Sequence, residues 1–173
     1  MSNKIFSFDA ETDGLWGRVF AIAAIVRENG IETKSFYGQL PVDVISNQWV
    51  RENVVPNLGD ETHDNYKDLI SDFAAFYMQN KQNATVVTHV GFPVESGLLR
   101  EMHNLGYIGD WDAPFPLVDT SSMLLLAVED PTSELKYAEK YCIKLPEGGA
   151  HNPLFDCRLT AEVYQHLLSR FAN

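Results

Sequence analysis

Ile5-Phe6-Ser7-Phe8-Asp9-Ala10-Glu11, the turn Thr12-Asp13-Gly14, and the run Val19-Phe20-Ala21-Ile22-Ala23-Ala24-Ile25-Val26 form the stretch that decides the fold. A period of two puts Ile5, Ser7, Asp9 and Glu11 on one face of a strand and Phe6, Phe8 and Ala10 on the other. Thr12-Asp13-Gly14 stops that strand as a turn. The near-continuous apolar run after it suits a central strand buried on both faces. Glu28-Asn29-Gly30 then leads into a third strand around Thr33 to Leu40, so two short connections join three strands in a meander.

Working outward, the period lengthens to that of helices. Asp43 to Val54 is one helical pattern, and Tyr66 to Asn80 is another, with Leu69, Phe73, Phe76 and Tyr77 as its stripe. Thr85 to Val90 is β-branched and strand-like, and Val94 to about Leu105 returns to a helix ended near Gly106. The apolar segment Phe115 to Val118 precedes a cap at Asp119-Thr120 and a helix through Leu126. Ser133 to Cys142 and Pro153 to Phe171 close the chain, with Asn152 and Pro153 as N-cap and first helical residue of the last helix. Three early strands followed by alternating strands and helices predict an α/β fold, a mixed central sheet flanked by helices, compatible with the ribonuclease H-like arrangement.

At 173 residues and 45% hydrophobic content, residues 1–173 are expected to form a single domain that needs no staples. No run approaches the roughly 18 apolar residues of a membrane helix, and Met1-Ser2-Asn3-Lys4 does not open a signal peptide, so a soluble, cytoplasmic protein without membrane partners is expected. Cys142 and Cys157 lack the spacing of a zinc or redox site and read as packing thiols. The formal net charge of −11 opposes a long duplex-binding surface, because Lys and Arg supply most non-specific affinity for phosphate. It leaves room for a short contact made through bound cations, which invert the field of an acidic site.

Two acids at i and i+2 on a strand, Asp9 and Glu11, project from the same side and can share a cation; a solvated strand edge is the alternative. His151 and Asp156 would diverge by roughly 140° on one continuous helix. The Asn152-Pro153 start places His151 in the loop before the helix, free to turn toward a substrate. Asp156 then lies on the first turns, facing the sheet beside the Leu159/Val163/Leu167 stripe, unless it serves only as a favourable charge at the helix N-terminus.

Phe8-Asp9-Ala10-Glu11-Thr12-Asp13-Gly14-Leu15, His89-Val90-Gly91-Phe92-Pro93-Val94-Glu95-Ser96-Gly97-Leu98-Leu99 and His151-Asn152-Pro153-Leu154-Phe155-Asp156 resemble the three exonuclease motifs of the DEDDh (DnaQ-like) 3′-to-5′ exonuclease superfamily. The resemblance spans nearly the whole chain, and the distance from His89 to the second-motif acid is most like the TREX-type branch. It implies a metal-dependent 3′-to-5′ exonuclease acting on nucleic acid with a free 3′ end, DNA favoured. Asp9, Glu11 and Asp156 would hold two Mg²⁺ or Mn²⁺ ions and His151 would be the general base. Leu15 and Trp16 would contact the terminal nucleotide, with Thr12 and His89 as further substrate contacts. Relatives are often dimers, so a homodimer is compatible with it.

The chain departs from the pattern in its second motif. Glu95 stands where the family has Asp, and Val90 where Asn commonly follows the histidine. Glu is one methylene longer but still a hard oxygen ligand. An exposed acid in a first helical turn is the other reading of Glu95, and Asp119 is expected to act mainly as a cap. Trp16 stacks on a base or packs in the core, and Gly148-Gly149 is a hinge for a closing loop or an ordinary turn. An exoribonuclease, a nuclease for very short oligonucleotides, and a catalytically silent nucleic-acid-binding domain are the competing functions.

Overall fold

The computed structural model describes residues 4–172. β1 (Lys4–Thr12) pairs antiparallel with β2 (Val19–Glu28), which pairs antiparallel with β3 (Ile31–Gln39). β4 (Thr85–Thr88) lies parallel to β1, and β5 (Val118–Asp119) parallel to β4, giving the order β3-β2-β1-β4-β5. The helices are α1 (Gln48–Asn53), α2 (Tyr66–Asn80), α3 (Val94–Asn104), α4 (Thr120–Leu126), α5 (Glu134–Lys140) and α6 (Pro153–Phe171). None is long and apolar enough to cross a membrane among the described residues.

The alternation in β1 sorts its side chains as expected. Phe6, Phe8 and Ala10 join Phe20, Ile22, Ala24 and Val26 in a core shared with α2 and α3, where Phe8 packs on Phe73 and Phe6 meets Tyr77 edge-on. Ile5, Ala23, Ile25 and Val87 face α6 on the other side, and Ser7, Asp9 and Glu11 share that face of β1. Every residue of β2 from Val19 to Val26 is buried, which is why its sequence is apolar without alternation. The register shifts between Glu11 and Thr12, where Phe20 is the extra residue of β2, so the β1 ladder is bent beside Glu11.

Four expectations are corrected. The helix over Asp43 to Val54 is a 3₁₀ turn at Val42–Val44, then α1, then a second 3₁₀ turn at Val55–Asn57. The amides of Ser46 and Asn47 donate to the Asp13 carboxylate instead of to helical carbonyls, Asn47 caps α1 by accepting from Val50, and Pro56 has no amide to extend it. The strand from Thr85 ends at Thr88, and Phe115 is fully exposed, so only Val118 and Asp119 of the later apolar segment pair with the sheet. Leu159, Val163 and Leu167 pack on α4 and α5, while Cys157, Ala161 and Tyr164 face the sheet. Cys157 is buried as a packing thiol, but Cys142 is exposed, because it follows the end of α5 at a positive φ of 53°.

Candidate active site

Asp9 and Glu11 occupy the end of β1, and Asp156 the first turn of α6, which crosses that face of the strand. Asn152 begins α6 by accepting from the amides of Leu154 and Phe155, with Pro153 at the first helical position, so the helix start aims Asp156 at the strand. One carboxylate oxygen from each of the three acids lies within 4.8 Å of the others. Glu95 comes from the first turn of α3, is only 3% exposed, and accepts a hydrogen bond from the Ala10 amide at 3.1 Å. The exposed-acid reading of Glu95 is therefore overturned. It reaches the strand between Asp9 and Glu11 from the opposite helical layer, but it stands outside the group of three.

Burial raises the pKa of all four carboxyls. The charges of Asp9, Asp156 and Glu95 push Glu11 further up, and Asp9 does the same to Asp156 and Glu95. A hydrogen bond from the His151 backbone pulls Asp156 partly back. Four carboxyls so placed cannot all ionise cheaply without added positive charge, and they are all hard oxygen donors. The donor set thus fits divalent cations of the Mg²⁺ or Mn²⁺ kind.

His151 stands at the mouth. Its φ is +65°, a left-handed conformation that a non-glycine residue holds at some cost. Its imidazole is half exposed, with Nδ1 3.9 Å from Glu11 Oε1 and the ring edge-on to Trp49 at 5.7 Å. Gly148, with φ of +113°, supplies the left-handed turn before it. Thr12, Leu15, Trp49 and His151 line a cavity of about 400 Å³ that reaches Glu11.

Of the remaining candidates, Trp16 is 74% exposed, which excludes the core alternative, and it pairs edge-on with Phe92 rather than lining the cavity beside His151. His89 does not line that cavity: its Nδ1 hydrogen-bonds Thr120 Oγ1 at 3.1 Å and lies 3.7 Å from Glu134 Oε1. Asp119 accepts from the amides of Val90, Gly91 and Ser121, so it caps α4 and also holds the chain leading to α3.

Three residues near the site were not singled out from sequence. Glu134 is 5% exposed and bonds Thr120 at 2.5 Å and Thr160 at 2.7 Å; burial pushes its carboxyl up to about 7 against that pair of hydroxyl bonds. In sequence it is one more acid after the cap Ser133, with no local sign of burial. Asp13 ties the turn after β1 to Ser46 and Asn47. Trp49 is exposed beside His151, a lone tryptophan in a polar segment being its only signal.

No protein-family model matches the sequence, and a comparison with curated proteins finds no match. Solved structures do match the fold. S. pombe Pop2p, in a form with Mg²⁺ and Mn²⁺ bound, superposes with a TM-score of 0.70 at 12% identity, covering 97% of this chain and 84% of that one. Exonuclease X, in complex with 5′ overhanging duplex DNA, superposes at 0.62 with 16% identity, covering 98% of this chain and 93% of that one. The mixed five-stranded α/β fold is thus ribonuclease H-like, as expected.

Proposed function

We propose that the protein is a metal-dependent nuclease that removes nucleotides from the 3′ end of nucleic acid, with DNA favoured over RNA. The observation that carries this is the convergence of Asp9, Glu11 and Asp156 within 4.8 Å, beside a buried Glu95 and a half-exposed histidine. The structural likeness to an exonuclease bound to DNA and to a protein with Mg²⁺ and Mn²⁺ bound supports it.

Asp9, Glu11 and Asp156 are the residues that would hold two Mg²⁺ or Mn²⁺ ions, with Glu95 completing the set directly or through water. When bound, such ions generate a nucleophile near neutral pH and stabilise charge on the leaving oxygen. The chain's own part is orientation and proton transfer. His151 takes the proton of the attacking water, because its ring nitrogens stand outside the acid cluster while the buried carboxylates are committed to cations. Its position beside Glu11 and Trp49 keeps the ring at the mouth, where water and substrate arrive. Thr12 and Leu15 form the wall against which the terminal nucleoside rests. Gly148 and Gly149 give the His151 loop freedom to close on it.

The net charge of −11 favours short single-stranded substrates over long duplexes. Release of mononucleotides from single-stranded DNA and RNA, with Mn²⁺ or Mg²⁺ and with EDTA, tests the proposal against Asp9→Asn. Turnover that needs the metal and is lost in Asp9→Asn is expected. Metal-stabilised protein that binds oligonucleotides without cleaving them would instead favour a silent binding domain.

A further inference from the structure

A second cavity, of about 600 Å³, lies between the β1–β2 turn and α3. It shares Thr12, Leu15 and Val94 with the smaller cavity beside His151, so the two flank one wall next to the acids. We infer that this cavity is the subsite for the nucleotide upstream of the 3′-terminal one, with Arg18 and Arg100 holding its 5′ phosphate and Trp16 and Phe92 presenting an aromatic face to its base. The inference rests on the nuclease function proposed above and specifies which part of a chain the protein grips.

Charge supports it first. The chain has 24 acids against 13 lysines and arginines, so unneutralised cations are scarce. Arg27, Arg158 and Arg170 are in ion pairs with Glu162, Glu32 and Glu129, and Arg51 donates to the Ile45 carbonyl. Arg18 and Arg100 form no ion pair among the described residues, and both line this cavity. Arg18 is braced 3.9 Å over the Tyr66 ring and hydrogen-bonds that side chain, which fixes the guanidinium at the cavity wall. Glu101, also on the wall, is the single acid there. Two guanidiniums over one exposed cavity match a phosphate.

A second observation is steric. Gly97 sits inside α3, where glycine costs about 1 kcal/mol relative to alanine, and a Cβ built there meets nothing within 4 Å. The bare backbone is therefore not demanded by packing within the chain, and Gly97 lines the cavity. The third is the Trp16–Phe92 pair, at 5.7 Å and 79°, whose members are 74% and 69% exposed. Exposed aromatics beside arginines make the sequence-tolerant stacking platform of single-strand binders.

A dinucleotide NpN has no phosphate for the two arginines, whereas a trinucleotide NpNpN has one. In the parent with Mn²⁺, kcat/KM should rise roughly 10- to 100-fold from dinucleotide to trinucleotide, the range of a charge-assisted hydrogen bond. The Arg18→Ala/Arg100→Ala double variant should lose most of that rise. Gly97→Leu, which keeps both arginines, gains helix propensity and adds a side chain to the cavity lining, should lose it too. Anisotropy of a 5′-labelled octanucleotide, with Ca²⁺ in place of Mn²⁺, reads binding without turnover and should show the same ranking. A trinucleotide advantage and an octanucleotide affinity unchanged in both variants overturn the subsite while leaving the nuclease function standing. Arginine-dependent binding by a parent that cleaves nothing upholds the subsite and overturns the nuclease. Absence of both binding and cleavage in the parent overturns both.

Discussion

Replacing Glu134 by Gln should stabilise the metal-free protein at alkaline pH and do little at acid pH. The carboxyl is raised from 4.5 to about 7 by burial, even with the Thr120 and Thr160 hydroxyls bonded to it. Below pH 4.5 folded and unfolded chains both hold the proton, and the group costs nothing. Between 4.5 and about 7 the unfolded chain releases its proton while the folded one retains it, so unfolding gains ground as pH rises. Above about 7 the loss is complete; the interval from 4.5 corresponds to roughly 3 kcal/mol at about 1.36 kcal/mol per pH unit. Gln has nearly the same shape, keeps an acceptor for one hydroxyl and never ionises. Urea unfolding in EDTA at pH values from 4.5 to 8.5 should show the variant's advantage growing by about 3 kcal/mol, equivalent to about 6–12 °C in Tm for a domain of this size. A difference between variant and parent that stays constant across that range would refute the burial argument for Glu134.

Mn²⁺ at about 100 times its Kd should stabilise the parent by roughly 2.7 kcal/mol, and Asp9→Asn should remove most of that rise in a thermal melt. His151→Ala should lower kcat by at least roughly 100-fold while retaining the Mn²⁺-induced shift, since a general base holds no ion; parental turnover at neutral pH would refute the assignment. Glu95→Gln keeps an acceptor for the Ala10 amide and should weaken Mn²⁺ binding about 10- to 100-fold by titration calorimetry, the range for residues that orient or complete a metal site. Asp119→Asn, which cannot serve all of Val90, Gly91 and Ser121 as acceptor equally well, should cost about 1–2 kcal/mol in urea while leaving Mn²⁺ affinity unchanged. The reverse ranking of these two variants would move the second motif to Asp119.

What local rules govern was legible in the sequence. The period of two in β1, the apolar run of β2 and the Asn152-Pro153 start of α6 each depend on neighbours in the chain, and each matches the structure. That is enough to bring Asp9, Glu11 and Asp156 together once β1 and α6 pack. What long-range contacts govern was not legible. Glu134 looks like a favourable acid at a helix start until α5 and α6 meet and bury it between two threonines. Asp13 looks like a turn residue until residues 46 and 47, over thirty positions away, donate to it, and that same contact breaks the helix expected from Asp43. The side of α6 that meets the sheet is not legible because two apolar rows on that helix, one against α4 and α5 and one against the sheet, blur a single stripe. Cys142 followed a base expectation for free thiols, which its position past the end of α5 defeats.

The proposed function has Asp9, Glu11, Asp156 and His151 hydrolyse nucleic acid from its 3′ end. A single-stranded oligonucleotide labelled at its 5′ end, and the same oligonucleotide labelled at its 3′ end, are incubated with the protein and Mn²⁺ and followed by denaturing gel. The expected result is a ladder shortening one nucleotide at a time from the 5′-labelled strand, immediate release of labelled mononucleotide from the 3′-labelled strand, and neither in EDTA or with His151→Ala. Shortening from the 5′ end, internal cuts, or degradation undiminished by EDTA would contradict it.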